Sequence, residues 1–148
     1  MRLIVDANIL ISALIKKSVT RYILALPVFE FYTPDFAIQE IANNKNLILK
    51  KSKLTGDKLN KIFELLLKNI NVVPSEVFVK HHKQSLMIMN KIDKKDSLYI
   101  ALALLFQNDG IWSNDGHFQE QKVIKVFTTK DLIKMILKNQ KQNIFFQP

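Results

Sequence analysis

Four acidic residues stand where side chains could do chemistry. Asp6 ends the apolar run Leu3-Ile4-Val5, and Asp115 follows the apolar pair Ile111-Trp112 at a short distance. Asp96 opens the apolar run of residues 98–106, and Glu40 sits one turn into the segment that begins Thr33-Pro34-Asp35. Two carboxylates at strand ends and two near helix starts can converge at one edge of a parallel sheet, where open α/β sheets place their sites. Each also has an ordinary reading, as a solvated surface charge or a helix cap. Convergence would demand a counter-charge, because two carboxylates about 4 Å apart repel by roughly 4 kcal/mol at an effective dielectric near 20. Without a cation one of them stays protonated at neutral pH. Mg²⁺ or Mn²⁺ removes the conflict, since hard cations take oxygen ligands. Metal held by carboxylates suits phosphoryl transfer, in which an ion makes the nucleophile from water and stabilises the leaving oxygen.

Other chemistries find no footing. The chain has no cysteine, so disulfides, zinc–thiolate sites and cysteine nucleophiles are excluded. Its three glycines, Gly56, Gly110 and Gly116, are too scattered for a Gly-rich phosphate loop. His81 and His82 are adjacent and His117 stands apart, so no spacing suits zinc and all three read as surface residues. No Ser-His-Asp arrangement is evident. The charge balance is strongly basic, 22 Lys and Arg against 13 Asp and Glu for a net +9, and Arg2 and Arg21 are the only arginines. A lysine surface favours phosphate contact over base readout, which is mostly the work of arginine. The start Met1-Arg2-Leu3-Ile4-Val5-Asp6 meets a charge too early for a signal peptide, since Asp6 ends the apolar run after three residues, and no apolar run reaches the roughly 18 residues of a membrane span. The reading is a soluble, cytoplasmic protein.

The elements that must position these residues follow from the hydrophobic pattern. With 148 residues, 48% of them hydrophobic, the chain can bury one core. Apolar runs alternate with segments of helical period, the pattern of a parallel sheet with crossover helices. Strands are expected at residues 3–5 (central), 29–32, 71–73, 111–112 and 123–126. Helices are expected at 9–14, 18–26, 55–68, 76–89 and 97–107, with residues 50–53 a basic connector. Thr33 is expected to cap a helix with Pro34 at its first position, Gly110 to end the apolar helix, and Thr128 to cap a last helix reaching about residue 138. A helix apolar all round, as at 97–107, should be buried. If that helix starts at Lys94, Asp93 is its cap and Asp96 its third residue. One domain over residues 1–139 and a tail at 140–148 are expected.

Together these residues match a known pattern. Val5-Asp6-Ala7-Asn8-Ile9-Leu10, Thr33-Pro34 leading to Glu40-Ile41, Asp93-Lys94-Lys95-Asp96 running into Tyr99-Ile100-Ala101-Leu102, and Ile111-Trp112-Ser113-Asn114-Asp115 resemble the ordered motifs of PIN-domain nucleases. Val126-Phe127-Thr128-Thr129-Lys130-Asp131-Leu132 resembles that family's last strand and helix. The resemblance implies a three-layer α/β/α fold with a central parallel, doubly wound sheet. It implies Mg²⁺- or Mn²⁺-dependent cleavage of RNA by one or two ions, leaving 5′-phosphate ends. By position, Asp6, Glu40, Asp96 and Asp115 would form the acidic centre, with Asp93 as a reserve ligand. Asn8 and Ser113 would orient ligands or waters, and Lys94 and Lys95 would contact the substrate backbone. Many small prokaryotic members are toxins paired with an antitoxin protein and form homodimers, and this chain is similar to them in size. The competing reading is a PIN-like module that holds RNA or a protein partner without cutting; the filling of all four acidic positions argues against it.

Overall fold

The computed structural model describes residues 1–89 and 95–144. The first half runs β1 (Arg2–Val5), α1 (Ala7–Ile15), α2 (Val19–Leu24), β2 (Glu30–Pro34), α3 (Asp35–Asn43), α4 (Lys45–Ser52), α5 (Gly56–Leu67) and β3 (Ile70–Val73). The second runs α6 (Ser75–Phe78), a 3-10 turn (Val79–His81), α7 (His82–Met89), α8 (Ser97–Leu105), β4 (Gly110–Trp112), α9 (Gly116–Glu120), β5 (Val126–Phe127) and α10 (Thr129–Ile144). Every strand pairing is parallel, and the order across the sheet is β3-β2-β1-β4-β5. β1 is central, with Leu3 beside Phe31 of β2 and Val5 beside Trp112 of β4. The chain builds outward on one side through β2 and β3, then returns to the other side through β4. The switch point therefore lies between β1 and β4, and the crevice there opens at the strands' carboxyl ends.

The pleat of β1 explains the three layers. Leu3 and Val5 face one core, with Ile9, Leu10 and Leu14 of α1, Ile48 of α4, Leu59 of α5 and Leu132 of α10. Ile4 faces the other, with Ile100 and Leu102 of α8, Phe78 and Phe118. Leu3, Ile4 and Val5 are wholly buried, as a near-continuous apolar strand covered on both faces should be. Most of α8 is buried too, from Tyr99 to Ala103, in agreement with its lack of a polar face. The start of α10 is fixed reciprocally: the Asp131 N–H donates to Thr128 Oγ1 at 3.2 Å and the Thr128 N–H to Asp131 Oδ2 at 2.9 Å. Among the described residues, no helix is long and apolar enough to cross a membrane.

Several local expectations give way to tertiary contacts. Thr33 does not cap α3; its hydroxyl donates to the Val5 carbonyl at 2.8 Å, and β2 continues through Pro34 so that α3 starts at Asp35. Residues 50–53 are not a connector: α4 runs through Ser52 and ends at Lys53, whose φ of 57° is left-handed. The single helix expected over 76–89 is broken by the 3-10 turn after Phe78, the residue that buries itself in the core. The strand expected at 123–126 shrinks to Val126–Phe127. The Gln121 side chain accepts the N–H groups of Val123 and Ile124 and donates to the Ile124 carbonyl, so this stretch is a side-chain-held loop. α10 runs on to Ile144, past the expected end near 138.

Gly110 also has a different task from the one expected. α8 ends at Leu105, and Gly110 opens β4 with φ +141°. A Cβ there would lie 2.3 Å from the Lys125 carbonyl oxygen, which accepts the Ile111 N–H at 2.9 Å. Gly110→Ala is expected to cost about 2–4 kcal/mol by combining backbone strain with overpacking. Urea unfolding of the two proteins measures it.

Candidate metal centre

β1 delivers Asp6 straight into the switch point. Its backbone leaves the strand extended and caps α1, with Oδ1 accepting the Asn8 N–H at 3.2 Å. Oδ2 accepts the Ser113 hydroxyl at 2.7 Å. Ser113 follows β4, the neighbouring strand, and the Asp6 N–H donates to the Trp112 carbonyl at 3.2 Å. The same Ser113 oxygen accepts the Asp115 N–H at 3.0 Å. Asp115 in turn caps α9 by accepting the His117 N–H at 3.0 Å. A short chain of hydrogen bonds thus runs from Asp6 through Ser113 to Asp115. Asn114 pins the loop from the side: its amide nitrogen donates to Thr129 Oγ1 at 3.0 Å and its oxygen accepts the Thr129 N–H at 2.9 Å.

The remaining acids arrive from two helices. Asp96 precedes α8, and the helix proper begins at Ser97, so Asp96 is the residue before the first turn rather than the third residue. Its Oδ2 lies 3.8 Å from His117 Nδ1, which is 3.6 Å from Asp115 Oδ1. One ligand atom each from Asp96, Asp115 and His117 lie within 4.8 Å of one another. Glu40, on α3, is joined to Asp6's segment by Tyr99 of α8. The Tyr99 hydroxyl donates to Glu40 Oε2 at 3.1 Å and accepts the Ala7 N–H at 3.1 Å. Tyr99 is buried, and burial, then the charges of Asp6 and Glu40, push its pKa far up, so it stays a hydrogen-bond donor.

Of the acids singled out in the sequence, Asp96 and Asp115 fall with His117 in one group of possible ligands, whereas Asp6 and Glu40 lie outside that group and connect to it through Ser113 and Tyr99. Asn8 contributes its backbone N–H, while its side chain is exposed on the first turn of α1. Lys95 is exposed next to Asp96. Asp93 and Lys94 lie outside the described residues. Tyr99 and His117 were missed. Tyr99 was hidden within an apolar helix, where an aromatic normally means core. His117 is exposed, as expected, yet its ring nitrogen stands between two carboxylates; its spacing of two from Asp115 was the available signal.

The electrostatics are unbalanced in a way that fits a cation. Asp6 is 3% exposed. Burial, followed by the charges of Glu40 and Asp115, raises its pKa to about 6 despite the opposing hydrogen bonds from Ser113 and Asn8. Among the described residues, Asp6, Glu40 and Asp115 have no lysine or arginine within 4.0 Å. Carboxylate oxygens dominate the donor set, and carboxylates suit Mg²⁺ or Mn²⁺.

A parallel, doubly wound sheet with acidic side chains gathered at its switch point makes this a three-layer α/β/α protein of the PIN-like kind. The sequence model of the PIN domain matches residues 4–140, and the chain belongs to that family. PIN domains are in general metal-dependent nucleases. No curated protein matches the chain.

The raised Asp6 pKa gives a signed expectation for the metal-free protein. The unfolded chain releases this proton near pH 4 and the folded chain near 6, so the stability Asp6 contributes is full below about pH 4 and lost as pH rises to about 6. The loss is up to about 3 kcal/mol. Asp6→Asn cannot titrate and can still cap α1. Measured in EDTA by denaturant unfolding, Asp6→Asn should gain on the wild type between pH 4 and 7. A difference independent of pH would contradict the electrostatic account.

Proposed function

We propose that this chain is a metal-dependent endoribonuclease that hydrolyses RNA phosphodiester bonds with Mg²⁺ or Mn²⁺. The observation behind the proposal is that Asp96 and Asp115, from separate segments, offer ligand atoms within 4.8 Å of one another and of His117, with Asp6 and Glu40 linked to them through Ser113 and Tyr99 and no lysine or arginine within 4.0 Å of Asp6, Glu40 or Asp115 among the described residues. Family membership supports the nuclease reading.

In this reading Asp6, Asp96 and Asp115 hold the cation, with Asp93 in reserve. A bound divalent ion supplies a lowered pKa for a coordinated water and stabilises charge on the phosphate. The protein's own groups do the positioning. Ser113 and the Asn8 N–H lock the Asp6 carboxylate in one orientation. Tyr99 engages one Glu40 oxygen and leaves the other to accept a proton from water. Every lysine whose burial is described is exposed, so phosphates can be bound with little base readout. Lys94 and Lys95, next to Asp96 in sequence, fit that role. A toxin role, with an antitoxin protein as partner and a homodimer as the assembly, extends the proposal and rests on the resemblance to small prokaryotic members.

Incubation with a mixed pool of RNA tests it. Cleavage should need Mg²⁺ or Mn²⁺, stop in EDTA, and fall about 100-fold or more in Asp6→Asn and Asp96→Asn while both variants stay folded. Salt-sensitive RNA binding without cleavage under any of these ions would favour the non-cutting module instead.

A further inference from the structure

We propose that His117 is a nitrogen ligand within the acidic centre and turns its preference towards manganese over magnesium. The inference rests on the reading of Asp96 and Asp115 as ligands to a divalent ion. The His117 main chain is anchored beside Asp115, because the His117 N–H donates to Asp115 Oδ1 and closes the first turn of α9. This turn brings Nδ1 to 3.6 Å from Asp115 Oδ1 and 3.8 Å from Asp96 Oδ2. Both separations are too long for a hydrogen bond. The three donors are spaced so that an ion could sit among them. Donors about 2.1 Å from an octahedral ion lie about 3 Å apart when adjacent and about 4.2 Å apart when opposite. The mutual limit of 4.8 Å for the three donors needs only a small contraction to reach that range.

The chemistry of the ring then sets the preference. Mg²⁺ strongly favours oxygen and sheds water reluctantly, whereas imidazole binds transition metals well and gains along the series from manganese onward. A centre of carboxylates alone has no such bias. With Nδ1 as the ligand, Nε2 carries the proton, and the side chain is half-exposed.

Titration of the full chain with Mn²⁺ and, separately, Mg²⁺ by calorimetry, together with pulsed EPR of the Mn²⁺ complex, provides the test. The wild type should bind Mn²⁺ more tightly and show coupling to a ¹⁴N nucleus. His117→Ala should lose that coupling and about tenfold in Mn²⁺ affinity, with Mg²⁺ affinity changed less than about threefold. Unfolding in EDTA establishes that the variant is folded. Mn²⁺ binding of equal strength in both proteins without nitrogen coupling would overturn the role of His117 and leave the carboxylate centre standing. Equal losses for both ions with no coupling in the wild type would likewise overturn it. Failure of the wild type to bind either ion would overturn the metal centre itself and this inference with it.

Discussion

A carboxylate has been buried at the point where the sheet reverses its strand order, and much of the structure answers to that constraint. Asp6 cannot be moved, because β1 is the central strand and is wholly buried from Leu3 to Val5. An isolated charge there would be costly. Among the described residues, the Ser113 hydroxyl at 2.7 Å and the N–H of Asn8 offset it. The Ser113 bond ties the ends of β1 and β4 together, across the two strands that meet at the switch point. The same oxygen then orders Asp115 through its N–H. One hydroxyl therefore couples the burial of one acid to the placement of another.

The apolar framework makes this arrangement rigid. α8 packs on the sheet face that holds Ile4, with Ile100 and Leu102 buried beside it. That packing fixes Tyr99, whose hydroxyl reaches both the first turn of α1 and Glu40 of α3. Asp96, one residue ahead of the helix, is carried into place by the same docking. Side chains mounted on elements fixed by a core are held more precisely than those on free loops. The cost is concentrated at the acids, where the charges of Glu40 and Asp115 add to the burial of Asp6 and hold its proton until about pH 6. A site that is destabilising when empty and compensated when charged is a common trade between stability and function.

The sequence disclosed the architecture well because its strongest signals are those the core depends on. The uninterrupted Leu3-Ile4-Val5 run, the apolar stretch at α8 and the Thr128 start of α10 all reflect burial or capping that local residues determine. The acids were legible for a related reason: a charge directly after an apolar strand has few ordinary uses. What stayed hidden was set by partners distant in the chain. Thr33 looked like a cap, and its hydroxyl went to Val5 instead. Gly110 looked like a helix stop, but it opens β4 with φ +141°, where a Cβ would run into the Lys125 carbonyl oxygen. Residues 123–125 have strand-forming side chains, but Gln121 claims the backbone of Val123 and Ile124. Tyr99 and His117 belong to residue types whose usual meanings, core and surface, both hold here, while Tyr99 also bonds Glu40 and His117 also stands beside Asp96 and Asp115.

In our proposal the acids at the switch point form an incomplete charge set that a divalent cation completes. Unfolding free energy at pH 7, measured with saturating Mn²⁺ and again in EDTA, tests it most directly. The wild type should gain about 2.7 kcal/mol at an ion concentration one hundred times its dissociation constant. Asp6→Asn should gain much less under the same conditions. Equal stability of the wild type with and without the ion, or an equal gain in both proteins, would contradict the account.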